Sequence, residues 1–124
     1  MAMAETATGG LAVDTASLSP LHWVAFGLAA ITGVLHIWLG AQFVSSPMGI
    51  SFLLAGVGFF AGAALVAVDY RRRLIYAVGV PFTAVQIVAW YLVNAPDFSP
   101  IGYLDKAVQV AFIAVLVVLY RREG

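Results

Sequence analysis

Cysteine is absent from this chain of 124 residues. That excludes disulfides, thiolate catalysis, Cys-ligated zinc and Cys-held iron–sulfur clusters, and it leaves the redox compartment open. Charge is scarce as well. Six Lys/Arg balance six Asp/Glu, 10% of the residues and a formal net charge of +0. A soluble domain typically carries about a quarter charged residues, so this chain lacks the polar surface such a domain needs. Net neutrality also removes the global field that would draw in nucleic acid.

What abounds is apolar side chain: 63% hydrophobic residues and a mean hydropathy of +1.00. It is gathered into four blocks, at about 20–44, 47–68, 74–93 and 100–120. Some 20 residues rising 1.5 Å each cover a hydrocarbon core of about 30 Å. Helices are the segments of this spacing that pair every backbone group internally. The expected fold class is therefore all-α, a four-transmembrane-helix bundle with short loops. Residues 1–19, "MAMAETATGGLAVDTASLS", have no apolar period and read as a flexible cytoplasmic tail. They carry no Lys or Arg ahead of an apolar run, so they do not read as a signal peptide.

Three of the blocks open alike: "SPLHW", "SPMGI" and "SPIGY". A serine accepts from an unpaired N–H of the first turn, and proline gives up a donor that had no partner there. Helix starts are expected at Ser19, Ser46 and Ser99. "DYRRR" closes the second block and "YRREG" the fourth, so five of the six basic residues fall on one side of the membrane. By the positive-inside tendency that side is cytoplasmic. The expected location is the cell membrane, multi-pass, with both termini cytoplasmic and 45–46 and 94–99 outside. Trp23, Tyr70, Tyr76 and Tyr120 would mark the inner boundary, and Trp38, Trp90, Tyr91 and Tyr103 the outer one. Asp69 is placed to pair with Arg73 at i+4.

"ALVAVDYRRR" (64–73) matches "AVLVVLYRRE" (114–123) in five of ten positions at an offset of fifty. Duplication of a helical hairpin is one account. The common needs of two helices ending at the same membrane face are the simpler one.

The two histidines, His22 and His36, share the first block. Fourteen residues at 100° each leave them about 40° apart in azimuth and about 21 Å apart along the axis. Their stripe reads His22, Ala25, Ala29, Gly33, His36, Gly40. Such a pair on a glycine-containing span resembles the haem-binding helices of the cytochrome b type. That resemblance implies haem as a cofactor, with His22 and His36 as axial ligands. The chain has no second pair, so bis-histidine ligation would require a homodimer with its first helices apposed. The simpler expectation is no cofactor and no metal, with His36 hydrogen-bonded to a polar group on a neighbouring helix such as Gln86.

Gly58 and Gly62 in "GFFAG", like Gly33, are candidate close-packing positions. Pro81 interrupts the third block and removes the bond to the carbonyl of Ala77. Thr83 and Gln86 follow one turn on, and with Gln109 and His36 they are the candidate polar residues within the membrane. Asp105 and Gln109 form the one acidic–amide pair, near the outer interface. No carboxylate, lysine or arginine lies mid-span, which excludes proton-coupled exchange on a buried glutamate and a mid-membrane retinal lysine; Lys106 stands at a helix start. No catalytic triad, metal cage or phosphate loop is legible, so no enzyme is expected.

In length, arrangement and composition, with Arg far exceeding Lys, the whole hydrophobic region resembles the short four-helix membrane proteins of haloarchaea. The resemblance implies location and names no activity. The leading expectation is a structural or accessory membrane protein whose partners are the lipid bilayer and further copies of itself or a larger membrane complex. The alternatives are a haem-binding electron carrier and an oligomeric channel or carrier using the Pro81–Gln86 region.

Overall fold

The computed structural model describes residues 13–123, so residues 1–12 of the expected tail at 1–19 lie outside them. Among the described residues there is no strand. A 3-10 turn, Thr15–Ser17, leads into α1 (Pro20–Ala41), followed by α2 (Pro47–Ala67), α3 (Arg72–Asn94) and α4 (Pro100–Glu123). All four helices are long and apolar enough to cross a membrane. Their outward faces carry residues such as Leu54, Val85 and Leu92, as a lipid solvent requires.

All three Ser-Pro pairs start helices, and the serine side chain caps as expected at two of them. Ser46 Oγ accepts from Gly49 N–H at 3.1 Å, and Ser99 Oγ from Gly102 N–H at 3.1 Å. At α1 the roles reverse: His22, the third helical residue, takes the Ser19 backbone N–H on its Nδ1 at 2.9 Å. The structure thus gives His22 a capping role that accounts for one ring nitrogen.

Between α2 and α3 the chain turns within four residues. Asp69, at φ 58°, ends α2 in the left-handed conformation, with Tyr70 N–H bonded to Leu65 O and Asp69 N–H to Val66 O. These are the two bonds of a Schellman ending, with Asp where glycine is usual. Arg71, at φ 47°, adds a second left-handed residue before α3 begins. This break corrects the expected Asp69–Arg73 pair. Helical i+4 spacing is lost, so Asp69 reaches Arg72 instead, at 3.4 Å, while Arg73 stacks its guanidinium over the Tyr120 ring at 4.3 Å. It also separates the two halves of the offset-fifty match: 68–71 is a turn, whereas α4 stays helical through Glu123.

Residues 13–19 are held at this arginine end. Asp14 N–H donates to Ala67 O at 2.9 Å, and buried Arg72 donates from Nη1 to Ser17 Oγ and from Nε to Val66 O, each at 2.7 Å.

α1 lies between α2 and α4, α3 packs on α4, and α2 and α3 meet only sparsely. The α1–α2 contact rests on four glycines in antiparallel register, Gly33 opposite Gly56 and Gly40 opposite Gly49. A Cβ on Gly56 would stand 2.8 Å from Gly33 O, and one on Gly40 would stand 2.8 Å from Gly49 O. Only glycine allows backbones this close, and dispersion across such a seam is what joins helices in lipid. The core beyond it comprises Ala25, Ala29, Phe59, Val66, Tyr76, Phe112, Leu116 and Leu119. Tyr76 is 1% exposed, so it belongs to this core and not to an interfacial belt.

Candidate functional site

At the end of the bundle away from the arginines, α1, α3 and α4 send polar side chains inward. Asp105 is only five residues into α4, about 7 Å along the axis, yet it is buried. Position along the helix and burial across the bundle are separate matters, and the sequence shows only the first. Asp105 Oδ1 accepts from the Thr32 hydroxyl at 2.7 Å, and Oδ2 accepts from Lys106 Nζ at 2.6 Å. Lys106 donates also to Gln109 Oε1 at 2.9 Å. Gln109 Nε2 donates to Gln86 Oε1 at 3.0 Å and to Thr32 Oγ1 at 3.3 Å. The chain of bonds runs α1–α4–α3, and it compensates the cost of removing a carboxylate and an ammonium from water.

His36 completes this region from α1, but not as expected. Its Nδ1 lies 2.8 Å from Thr32 O and 3.3 Å from Thr32 Oγ1, both on its own helix, and Gln86 bonds Gln109 instead. The expected His36–Gln86 bond is therefore corrected: the i−4 carbonyl lies nearer the imidazole than any side chain of α3. A carbonyl only accepts, so Nδ1 carries the proton and Nε2 of the neutral ring is an acceptor. Among the described residues nothing is bonded to that Nε2. Across the ring, Phe52 and Phe59 stand at 5.2 and 5.7 Å between centroids.

His36, Gln86, Asp105 and Lys106 line a cavity of about 310 Å3. The cavity reaches from the helix ends, at Met48, Asn94 and Gly102, down to Ala55 and Gln86. All four helices contribute to it. Ser51 and Asn94 add polar groups, and the remaining walls are mostly apolar, with Trp90 standing 5.8 Å from Lys106 Nζ. Below it the bundle is closed by edge-to-face rings, Phe59 on Phe82 at 5.1 Å and on Phe112 at 5.8 Å. A second, apolar cavity of about 50 Å3 lies beyond these rings, against Gly58, Gly62, Gly79 and Tyr76.

Other candidate residues fall elsewhere. His22 sits at the arginine end, its Nε2 3.4 Å from Glu123 Oε1. The stripe it shares with His36 is wholly buried, with Phe60 against Gly33 and Leu53 against Gly40. Two copies could bring their first helices together along this face only by displacing Phe60 and Leu53. Gly58 is close-packed, a Cβ there standing 2.8 Å from the Phe82 ring, whereas at Gly62 the nearest atom, of Ile75, is 3.8 Å away. Thr83 is fully buried with no partner for its hydroxyl among the described residues. Thr32 and Lys106 join the network from outside the candidates that the sequence offers. Thr32 stands one turn before His36 on the same face, a usable signal; Lys106 offers none, since neighbours in a helix point 100° apart.

These features define a class: a small four-helix protein of membrane-spanning dimensions, with a polar network lining a cavity at one end. The chain belongs to the family of unknown function DUF7475, whose model matches residues 7–120. No curated protein and no solved structure matches it.

Proposed function

We propose that this is a cell-membrane protein that acts by non-covalent binding, as an accessory protein and not an enzyme, with the polar cavity as its working part. The observation that carries the reading is the hydrogen-bonded chain Thr32–Asp105–Lys106–Gln109–Gln86 beside an open volume. Polar groups inside a membrane protein are expensive and mark functional places by default. The ring contacts of Phe59 favour a closed binding cavity over a conducting path through the Pro81–Gln86 region. The gathering of Arg71–Arg73, Arg121 and Arg122 at one end supports cytoplasmic termini, with the cavity facing outward. The Arg-rich, Lys-poor composition agrees with a haloarchaeal type.

Purification in mild detergent, followed by mass spectrometry of retained small molecules and an absorption spectrum, tests this. The expected result is a small molecule held by the parent and lost from Ala55→Phe, which fills the cavity. Protein-dependent solute flux into vesicles, or a haem band, would replace the reading with one of its alternatives.

A further inference from the structure

We infer that the cavity takes an uncharged aromatic alcohol, of the phenol or hydroquinone kind, with its hydroxyl between His36 Nε2 and Lys106 Nζ. The inference rests on the cavity being a binding site and adds what it binds.

The argument is one of unspent hydrogen-bonding capacity. An ammonium has three donors. Lys106 places two, on Asp105 Oδ2 and Gln109 Oε1, which leaves the third without an acceptor among the described residues, and Lys106 lines the cavity. His36 has its Nδ1 proton on Thr32 O, which leaves Nε2 as an acceptor with no donor among the described residues. One donor and one acceptor thus border the same volume. A hydroxyl is the smallest group that accepts from the first and donates to the second. A carbonyl or an ether would serve Lys106 alone, and a primary ammonium would serve His36 alone.

Charge selects further. Lys106 and Asp105 form a pair at 2.6 Å, so the site is neutral as it stands. A charged ligand would leave water for a cavity with no opposite charge to spare. An uncharged one does not meet that cost. Shape comes from the walls, where Phe52 and Trp90 present ring surfaces and Leu35, Leu39 and Ile101 complete an apolar lining. A flat ring system buries its area against them at small entropic cost, and about 310 Å3 lies at the lower end of the usual range for small-ligand pockets, roughly 300–1,000 Å3.

The test is calorimetric titration of the full chain in detergent with three probes: 1-naphthol, 1-methoxynaphthalene and 1-decalol. 1-Naphthol should bind about tenfold more tightly than its methyl ether, the effect of one buried hydrogen bond, the one donated to His36 Nε2. It should also exceed the non-aromatic alcohol. His36→Phe should abolish the preference for naphthol over the ether while the ether still binds. Should that variant not fold, Lys106→Leu is measured instead and should weaken naphthol and its ether alike, by about threefold each, with the preference between them kept. Equal binding of naphthol and ether overturns the hydroxyl assignment but leaves the cavity a binding site. Equal binding of naphthol and decalol overturns the aromatic part, a preference that survives His36→Phe removes His36 from the site, and affinities unchanged by Lys106→Leu remove Lys106. Failure of all three probes to bind the folded parent overturns this inference. Loss of every retained native molecule as well overturns the binding reading beneath it.

Discussion

The Thr32 hydroxyl donates to Asp105 across 73 positions of sequence, tying α1 to α4 at 2.7 Å inside the bundle. With Lys106 on its other oxygen, the carboxylate is fully engaged. Removing one member of a buried pair leaves the other uncompensated, which costs about 3–5 kcal/mol, whereas replacing both is close to neutral. Asp105→Ala should therefore lower stability by about 3 kcal/mol, and Asp105→Ala with Lys106→Met should recover most of the loss. Thermal melts of the two single variants and the double variant in one detergent form the cycle. Additive losses would mean that the pair does not matter.

The glycines divide into two kinds. At Gly40 and Gly56 an added Cβ would meet backbone atoms of the facing helix, which cannot rotate away. Gly40→Ala and Gly56→Ala should destabilise by about 1–3 kcal/mol. At Gly62 the nearest atom is 3.8 Å away, and at Gly27 nothing lies within 4 Å. Alanine there should stabilise by about 0.5–1 kcal/mol through the lower conformational freedom of the unfolded chain. Melting temperatures that fail to separate the two groups would refute the close α1–α2 seam.

Arg72 is the peg of the arginine end, holding Ser17 with one nitrogen and Val66 O with another. Lysine cannot reproduce this two-pronged geometry. Arg72→Lys should cost about 1.5–3 kcal/mol, the worth of a hydrogen bond to a charged group. It should also speed amide exchange at Asp14 and Leu18, whose N–H groups bond Ala67 O and Thr15 O. Unchanged exchange would mean that 14–18 are held by something else.

Orientation has its own test. Single cysteines replacing Ala16 and Ala95 lie at opposite ends of the bundle, and the parent has no cysteine to confuse them. An impermeant thiol reagent on intact cells should label the Ala95→Cys variant and spare Ala16→Cys. The reverse pattern overturns the assignment from the arginines.

The sequence by itself determined the four helices, their Ser-Pro starts and their length. These depend on local chemistry: a hydrophobic block of about 20 residues, a capping side chain, a proline where no donor is needed. It also marked the face of α1 that is buried, because small residues recurring at helical spacing define a stripe wherever that stripe points. It did not determine what the stripe meets. Gly33 could as well have faced a cofactor as the backbone of Gly56, and that choice depends on the register between two helices, which no single helix encodes. The Asp69–Arg73 spacing failed for a local reason, two left-handed residues at a turn whose sequence contains no glycine. The sequence offered His36, Gln86, Asp105 and Gln109 as separate polar candidates, but their assembly into one site belongs to the tertiary structure. Asp105 and Lys106 look like residues of a helix start near water. They become the centre of a buried network only because Thr32, Gln86 and Gln109 arrive from three helices to supply, at hydrogen-bond distance, the partners that water would otherwise provide.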